Sequence, residues 1–209
     1  QVMERFGLGW DEVHAANPAA IYLRMPAFGL DGPWRERGGV AQTMEQLTGM
    51  AWVTGYEDGP PIIPGGPVDP MAGTHAALAV VAAIEARRRT GTGLLVEVPL
   101  VEVATAVTAE QVIRYSADGV LLGRRGSSGV YRCAGDDAWV AIDGASDPQA
   151  GEARARWCAE RTPAQAEADA RAEGLAAAAM VAGYATLDDP QLRARGFFET
   201  IEHPDVGVH

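Results

Sequence analysis

Apolar residues along this chain fall in short blocks punctuated by glycine and proline, with block spacing that changes from helical to strand-like and back. Residues 2–17 read as one or two short helices that stop at Asn17-Pro18, because the residue before proline is driven out of the helical region. Ala20-Ile21-Tyr22-Leu23-Arg24-Met25 has the length and composition of a buried strand, closed by Pro26. A turn-rich stretch follows through Trp34, and residues 39–50 read as a helix. Residues 55–68 are too crowded with proline and glycine for any regular element.

The clearest element is a helix from Pro70 to about Arg89. Alanine, leucine, valine and isoleucine dominate Ala76–Ile84, which predicts burial on most faces. Asp69 suits the N-cap and Pro70 the first helical position. Arg87-Arg88-Arg89 suits the C-terminal end, where the helix dipole favours cations. Thr90-Gly91-Thr92-Gly93 then turns the chain into a strand over Leu94–Val98, and a helix is expected over Val101–Ala117. Gly123–Gly129 reads as a mobile basic loop. Val130–Cys133 and Ala138–Ile142 flank Ala134-Gly135-Asp136-Asp137, a hairpin signal. Residues 150–173, rich in Ala, Arg and Glu, read as solvated helices. Asp189-Pro190 opens a short helix to about Arg195, and Phe197–Glu202 reads as a strand.

Composition narrows the function. The 209 residues suffice for one domain or two small ones, and 47% apolar with 22% charged residues is ordinary for a globular protein. A formal charge of −11 argues against nucleic acid as a partner, since that binding needs clustered Lys and Arg. Cys133 and Cys158 form no metal-ligand spacing, so a metal is not expected and free thiols in the cytoplasm are. No run of 18 apolar residues is present to span a membrane, and the opening Gln-Val-Met-Glu-Arg carries no signal-peptide core. The missing initiator Met suggests part of a longer protein.

Candidate chemistry centres on Asp69, which a Gly/Pro-rich loop delivers to the start of the long helix. Local sequence leaves two readings open: a helix cap, or a nucleophilic carboxylate kept ionised by the helix N-terminus. They are compatible, because capping geometry also aims a carboxylate outward. Neighbouring glycines let a bulky substrate approach the backbone. Arg124 and Arg125 are either surface residues or contacts for an anionic substrate. His75, well inside the helix, reads as packing or a supporting hydrogen bond.

An ordered set of motifs resembles the class III CoA-transferases, the family of formyl-CoA transferase, carnitine CoA-transferase and α-methylacyl-CoA racemase. The set comprises Phe6–Trp10 to Asn17-Pro18, Ile21-Tyr22 to Phe28-Gly29-Leu30-Asp31-Gly32-Pro33, Gly55–Pro61, and Asp69-x-x-x-Gly73 with His75. It continues through Arg88-x-x-Gly91-x-Gly93, Val96-Glu97-Val98, Tyr131–Cys133, Trp139–Ile142 and Asp189-Pro190-Gln191-Leu192-x-x-Arg195-Gly196-Phe197-Phe198.

The resemblance implies an α/β fold: part of a Rossmann-like large domain over residues 1–124 carrying the aspartate-bearing helix, then a small α+β domain and the start of a return segment over 125–209. It also implies interlocked dimers, or a second chain supplying the CoA-binding part, since family members are about twice as long. The implied activity is CoA transfer between an acyl-CoA and a carboxylic acid through an aspartyl-CoA intermediate on Asp69. Coenzyme A enters as the acyl-CoA substrate. Gly65, Gly66 and Gly73 are then expected as oxyanion donors. The Gly123–Gly129 loop, with Arg124, Arg125 and Gly126, becomes a candidate flap over substrate, and these three residues with Gly65, Gly66, Gly73 and His75 are the candidate substrate- and CoA-binding set. The racemase branch places a histidine near Val40, and valine cannot move a proton, so 2-methylacyl-CoA racemization is the weaker alternative. A non-catalytic subunit completing a CoA-transferase-like assembly is the other.

Overall fold

The computed structural model describes residues 2–56, 59–124, 129–143 and 148–208, excepting the side chains of 148–150. The chain divides into two compact units, Gln1–Arg125 and Gly126–His209.

In the first unit the elements run α1 (Val2–Arg5), α2 (Trp10–Ala16), β1 (Tyr22–Arg24), α3 (Ala41–Leu47), α4 (Val68–Thr90), β2 (Leu95–Glu97), α5 (Leu100–Val107) and α6 (Ala109–Asp118). β1 and β2 pair in parallel, with Tyr22 opposite Leu95 and Arg24 opposite Glu97. A parallel pair needs a crossover, and α3 and α4 supply it. The chain enters β2 through a backbone contact that only glycine permits. The Gly93 N–H donates to the Pro18 carbonyl at 2.7 Å. A Cβ on Gly93 would stand 1.8 Å from the Ala20 carbonyl oxygen. Gly91, at φ 74°, ends α4 in the left-handed conformation, its N–H donating to Arg87.

The core of this unit lies where α3, α4 and α5 meet. Ala41, Met44, Met50, Val68 and Ala104 form one cluster. Ala72, Ala76, Val98 and Val103 form the next. Three expectations need correction here. α4 is buried along one stripe, not on most faces: Val68, Ala72, Ala76 and Ala83 point inward, while Leu78 is 70% and Val81 63% exposed. The helix expected over Val101–Ala117 is two, broken at Thr108, whose hydroxyl donates to the Thr48 carbonyl at 2.9 Å. α4 also starts earlier than Pro70, for reasons given with the site.

The second unit runs β3 (Gly129–Arg132), β4 (Trp139–Ile142), α7 (Pro148–Ala159), α8 (Pro163–Ala172), β5 (Ala177–Ala179), a 3-10 turn (Gly183–Asp188), α9 (Pro190–Ala194), β6 (Glu202–His203) and β7 (Gly207–Val208). The expected hairpin forms, with Val130 opposite Ala141 and a turn holding Gly135 at φ 125° and Asp137 at φ 45°. β5 adds antiparallel to β4, Ile142 facing Ala177. The helices expected to be solvated carry Cys158, Ala166 and Ala170 into the core with Cys133, Val140, Ile142 and Ala177. Asp189 caps α9 by accepting from the Leu192 N–H at 2.9 Å. The strand expected over Phe197–Glu202 shrinks to Glu202–His203, paired with Gly207–Val208. Phe197 and Phe198 instead pack edge-to-face on each other, and both are exposed.

Candidate functional site

The site is built on the approach to α4. Val68 is fully buried and fixes the first turn, so the helix begins there, with Pro67 in the N-cap place. Asp69 therefore does not cap the helix. It sits in the first turn, and Pro70 is third rather than first in the helix. The reason is packing: burying Val68 outweighs the preference of an aspartate for the cap. The Asp69 side chain is exposed, and among the described residues it takes no hydrogen bond or ion pair. The helix dipole favours an anion there by about 0.3–1 kcal/mol.

Ahead of Asp69 the chain turns through Gly65 at φ 98° and Gly66 at φ 112°, a pair of conformations that suit only glycine. Their N–H groups are the oxyanion donors that the resemblance offers, and both are engaged within the chain. Both are taken by Glu45: Oε2 accepts from Gly65 at 3.1 Å and Oε1 from Gly66 at 2.7 Å. Glu45 is wholly buried on α3. Gly73 lies within α4 with open space where a Cβ would go. His75 is exposed, and its Nδ1–H donates to the Met71 carbonyl at 2.8 Å, a bond within its own helix.

Arg124 does not project toward a free anion. Its guanidinium donates to the carbonyls of Trp52 at 2.9 Å and Tyr56 at 3.1 Å and lies 5.4 Å from the Trp52 ring centre. The Trp52 indole donates to the Leu122 carbonyl at 3.1 Å. Together they clasp the 52–56 segment to the end of the first unit. Arg125 and Gly126, with the rest of the expected flap to Ser128, lie outside the described residues. No cluster of His, Cys, Asp or Glu fit to hold a metal occurs among the described residues.

Glu45 escaped sequence reasoning, although a signal was present. Ala41, Met44, Glu45 and Thr48 share one helical face, so a glutamate falls on the stripe that buries Ala41 and Met44. A charge at a core position calls for a partner.

The sequence model described as "CoA-transferase family III" matches residues 1–155. A succinyl-CoA–D-citramalate CoA-transferase of Chloroflexus aurantiacus is 33% identical over 153 residues, covering 69% of this chain and 38% of its own. A succinyl-CoA–L-malate CoA-transferase beta subunit of the same organism is 32% identical over 69% of this chain and 38% of its own. The chain thus spans well under half the length of these curated relatives. Among solved structures, a CaiB/BaiF family protein from Brucella suis superposes with a TM-score of 0.81, covering the whole of this chain and 68% of that one, at 21% identity. That match shows a shared mixed α/β fold.

Proposed function

The chain belongs to CoA-transferase family III, and from that premise we propose that it moves coenzyme A between an acyl-CoA thioester and a carboxylic acid, with Asp69 as the nucleophile. The observation that carries this reading is the exposed Asp69 carboxylate in the first turn of a 23-residue helix, behind a held Gly65-Gly66 turn.

In the proposed cycle an Asp69 carboxylate oxygen attacks the thioester carbonyl. Collapse of the tetrahedral intermediate expels CoA thiolate and leaves a mixed anhydride. The thiolate attacks the aspartyl carbonyl, releasing the first acid as its carboxylate and leaving an aspartyl-CoA thioester. The acceptor carboxylate attacks that thioester and expels thiolate again. The thiolate then attacks the acceptor's acyl carbon, giving the new acyl-CoA and restoring Asp69. Covalent catalysis of this kind divides one difficult exchange into easier steps. Oxyanion donors must come from outside the Gly65 and Gly66 amides while Glu45 holds them.

The relatives named above as succinyl-CoA-dependent transferases favour succinyl-CoA as the first donor to try. Residues 1–124 are read as part of a Rossmann-like large domain and 125–209 as a small α+β domain. The exposed Leu78, Val81, Val112 and Ile113 of α4 and α6, and a relative named as a subunit, favour assembly into an interlocked dimer or with a second chain. A reducing cytoplasm suits two buried free thiols. Val40 stands exposed ahead of α3 without an ionisable group, which disfavours the racemase reading.

The test is intact mass after incubation with succinyl-CoA, with and without hydroxylamine, for wild type and Asp69→Ala. The expected result is a CoA-sized adduct that hydroxylamine removes and Asp69→Ala lacks. An adduct that persists in Asp69→Ala, or none in the folded wild type, overturns the assignment.

A further inference from the structure

Glu45 is wholly buried, and both carboxylate oxygens are engaged by consecutive backbone amides, those of Gly65 and Gly66. Among the described residues no cation pairs with it. Such an arrangement is an unusual way to gain stability. Burying a carboxylate carries a large desolvation cost, and an apolar residue of similar size fills the same space without it. Ala41 and Met44, on the same face of α3, pack as ordinary core.

What the carboxylate does contribute is definition. The segment ahead of α4 is irregular, so no ladder or helix fixes its path. At φ 98° and 112°, Gly65 and Gly66 turn both N–H groups onto one carboxylate. Two charge-assisted hydrogen bonds there give a single geometry. Three residues later comes Asp69. Val68 pins the helix from one side by burial, and Glu45 pins the approach from the other.

We infer that Glu45 is a positioning residue. It acts through the Gly65-Gly66 turn to set where the Asp69 carboxylate stands, without touching the acyl group itself. The inference rests on the reading of Asp69 as nucleophile. A displacement near 1 Å at a reacting group costs about 100-fold in rate, so loosening the turn would lower turnover more than substrate binding.

The test is Glu45→Gln, which keeps the size and one acceptor oxygen but turns an NH2 group toward the second amide. Two readouts are taken on the wild type and the variant: the rate and KM of hydroxylamine-sensitive adduct formation from succinyl-CoA, and residue-resolved amide hydrogen exchange. The expected result is an adduct rate lowered about 10- to 100-fold with little change in KM. Exchange should rise about tenfold at Gly65 and Gly66 and stay unchanged at Val103 and Ala104 of the same core. An unchanged rate overturns the inference. So does a rate loss accompanied by faster exchange throughout the first unit, which would mark Glu45 as merely structural. If the wild type forms no adduct, the Asp69 reading fails on its own. Exchange then still decides the hold on the turn: a rise confined to residues 65–69 supports it, and no rise there overturns it.

Discussion

Replacing Gly93 with alanine drives a methyl group into the backbone of Ala20. The added Cβ would lie 1.8 Å from the Ala20 carbonyl oxygen, 2.5 Å from its carbon and 2.7 Å from the Ala19 carbonyl carbon. Comfortable separations are about 3.5 Å, so the two segments must part by more than roughly 1 Å. No flexible side chain is available to yield, because all three obstacles are backbone. The same movement strains three hydrogen bonds: Gly93 N–H to Pro18 at 2.7 Å, Leu94 N–H to Ala20 at 3.1 Å and Tyr22 N–H to Leu94 at 2.9 Å. Losing two of them costs about 1–3 kcal/mol, and overpacking a tight site adds about 1–3 kcal/mol. The total, roughly 2–6 kcal/mol, is a large share of the roughly 5–15 kcal/mol that holds a domain together. Gly91→Ala is the matched control. Gly91 is strained by its φ of 74° but has nothing within 4 Å of the added methyl, so its loss should be about 1–2 kcal/mol. Urea unfolding followed by tryptophan fluorescence reads both, since Trp10 lies 6.3 Å from Tyr22 and reports the first unit. A Gly93→Ala loss under about 1 kcal/mol, or smaller than that of Gly91→Ala, would refute the close-approach argument.

Gly73→Ala should instead stabilise the first unit by about 0.5–1 kcal/mol, because the position is helical and the new methyl meets nothing; thermal unfolding checks the sign, and a raised KM for succinyl-CoA in the same variant would indicate that substrate passes there. The Arg24 guanidinium, bonded to Glu4 at 2.5 Å, holds that carboxyl down at about 2, against an ordinary 4.5. A lowered carboxyl supports folding above its unfolded pKa, so the contribution should vanish as pH falls from about 4.5 to 2, and Glu4→Gln should flatten the acid limb of stability against pH. Burial pushes the Cys158 thiol up to about 11 and raises that of Cys133. Neither should react with a disulfide reagent at pH 8 in the folded protein, and both should react once urea unfolds it.

Much of the backbone plan was legible because its causes are local. Gly91 ended α4, Asn17-Pro18 ended α2, and Asp189-Pro190 opened α9, each a conformational preference of one or two residues. The β3–β4 hairpin was visible for the same reason. What escaped was decided at a distance. Ala177–Ala179 is strand because β4 offers an edge and because the Glu167 carboxylate accepts the Ala179 N–H at 3.1 Å; nothing in a run of alanines announces it. The break at Thr108 depends on a carbonyl at Thr48. Asp69 was singled out by its loop and helix, but its place in that helix was not legible, since the burial of Val68 moved the helix start. Glu45 was missed because its partners lie in a segment with no pattern of its own. For Arg124 the choice between surface residue and anion contact stayed open, because sequence does not reveal that the carbonyls of Trp52 and Tyr56 are within its reach.

The parallel pairing of β1 with β2 has a consequence for how the chain is made. Among the described residues, the strand neighbour of Tyr22 is Leu95, which is synthesised 73 residues later. At about 5–20 residues per second, that interval lasts on the order of several seconds or more. Through it β1 waits for β2, and the apolar faces of α3 and α4 await α5. The second unit closes its β3–β4 hairpin within a few residues and faces no such wait. Assembly of the first unit is therefore governed by the arrival of distant chain rather than by local propensity.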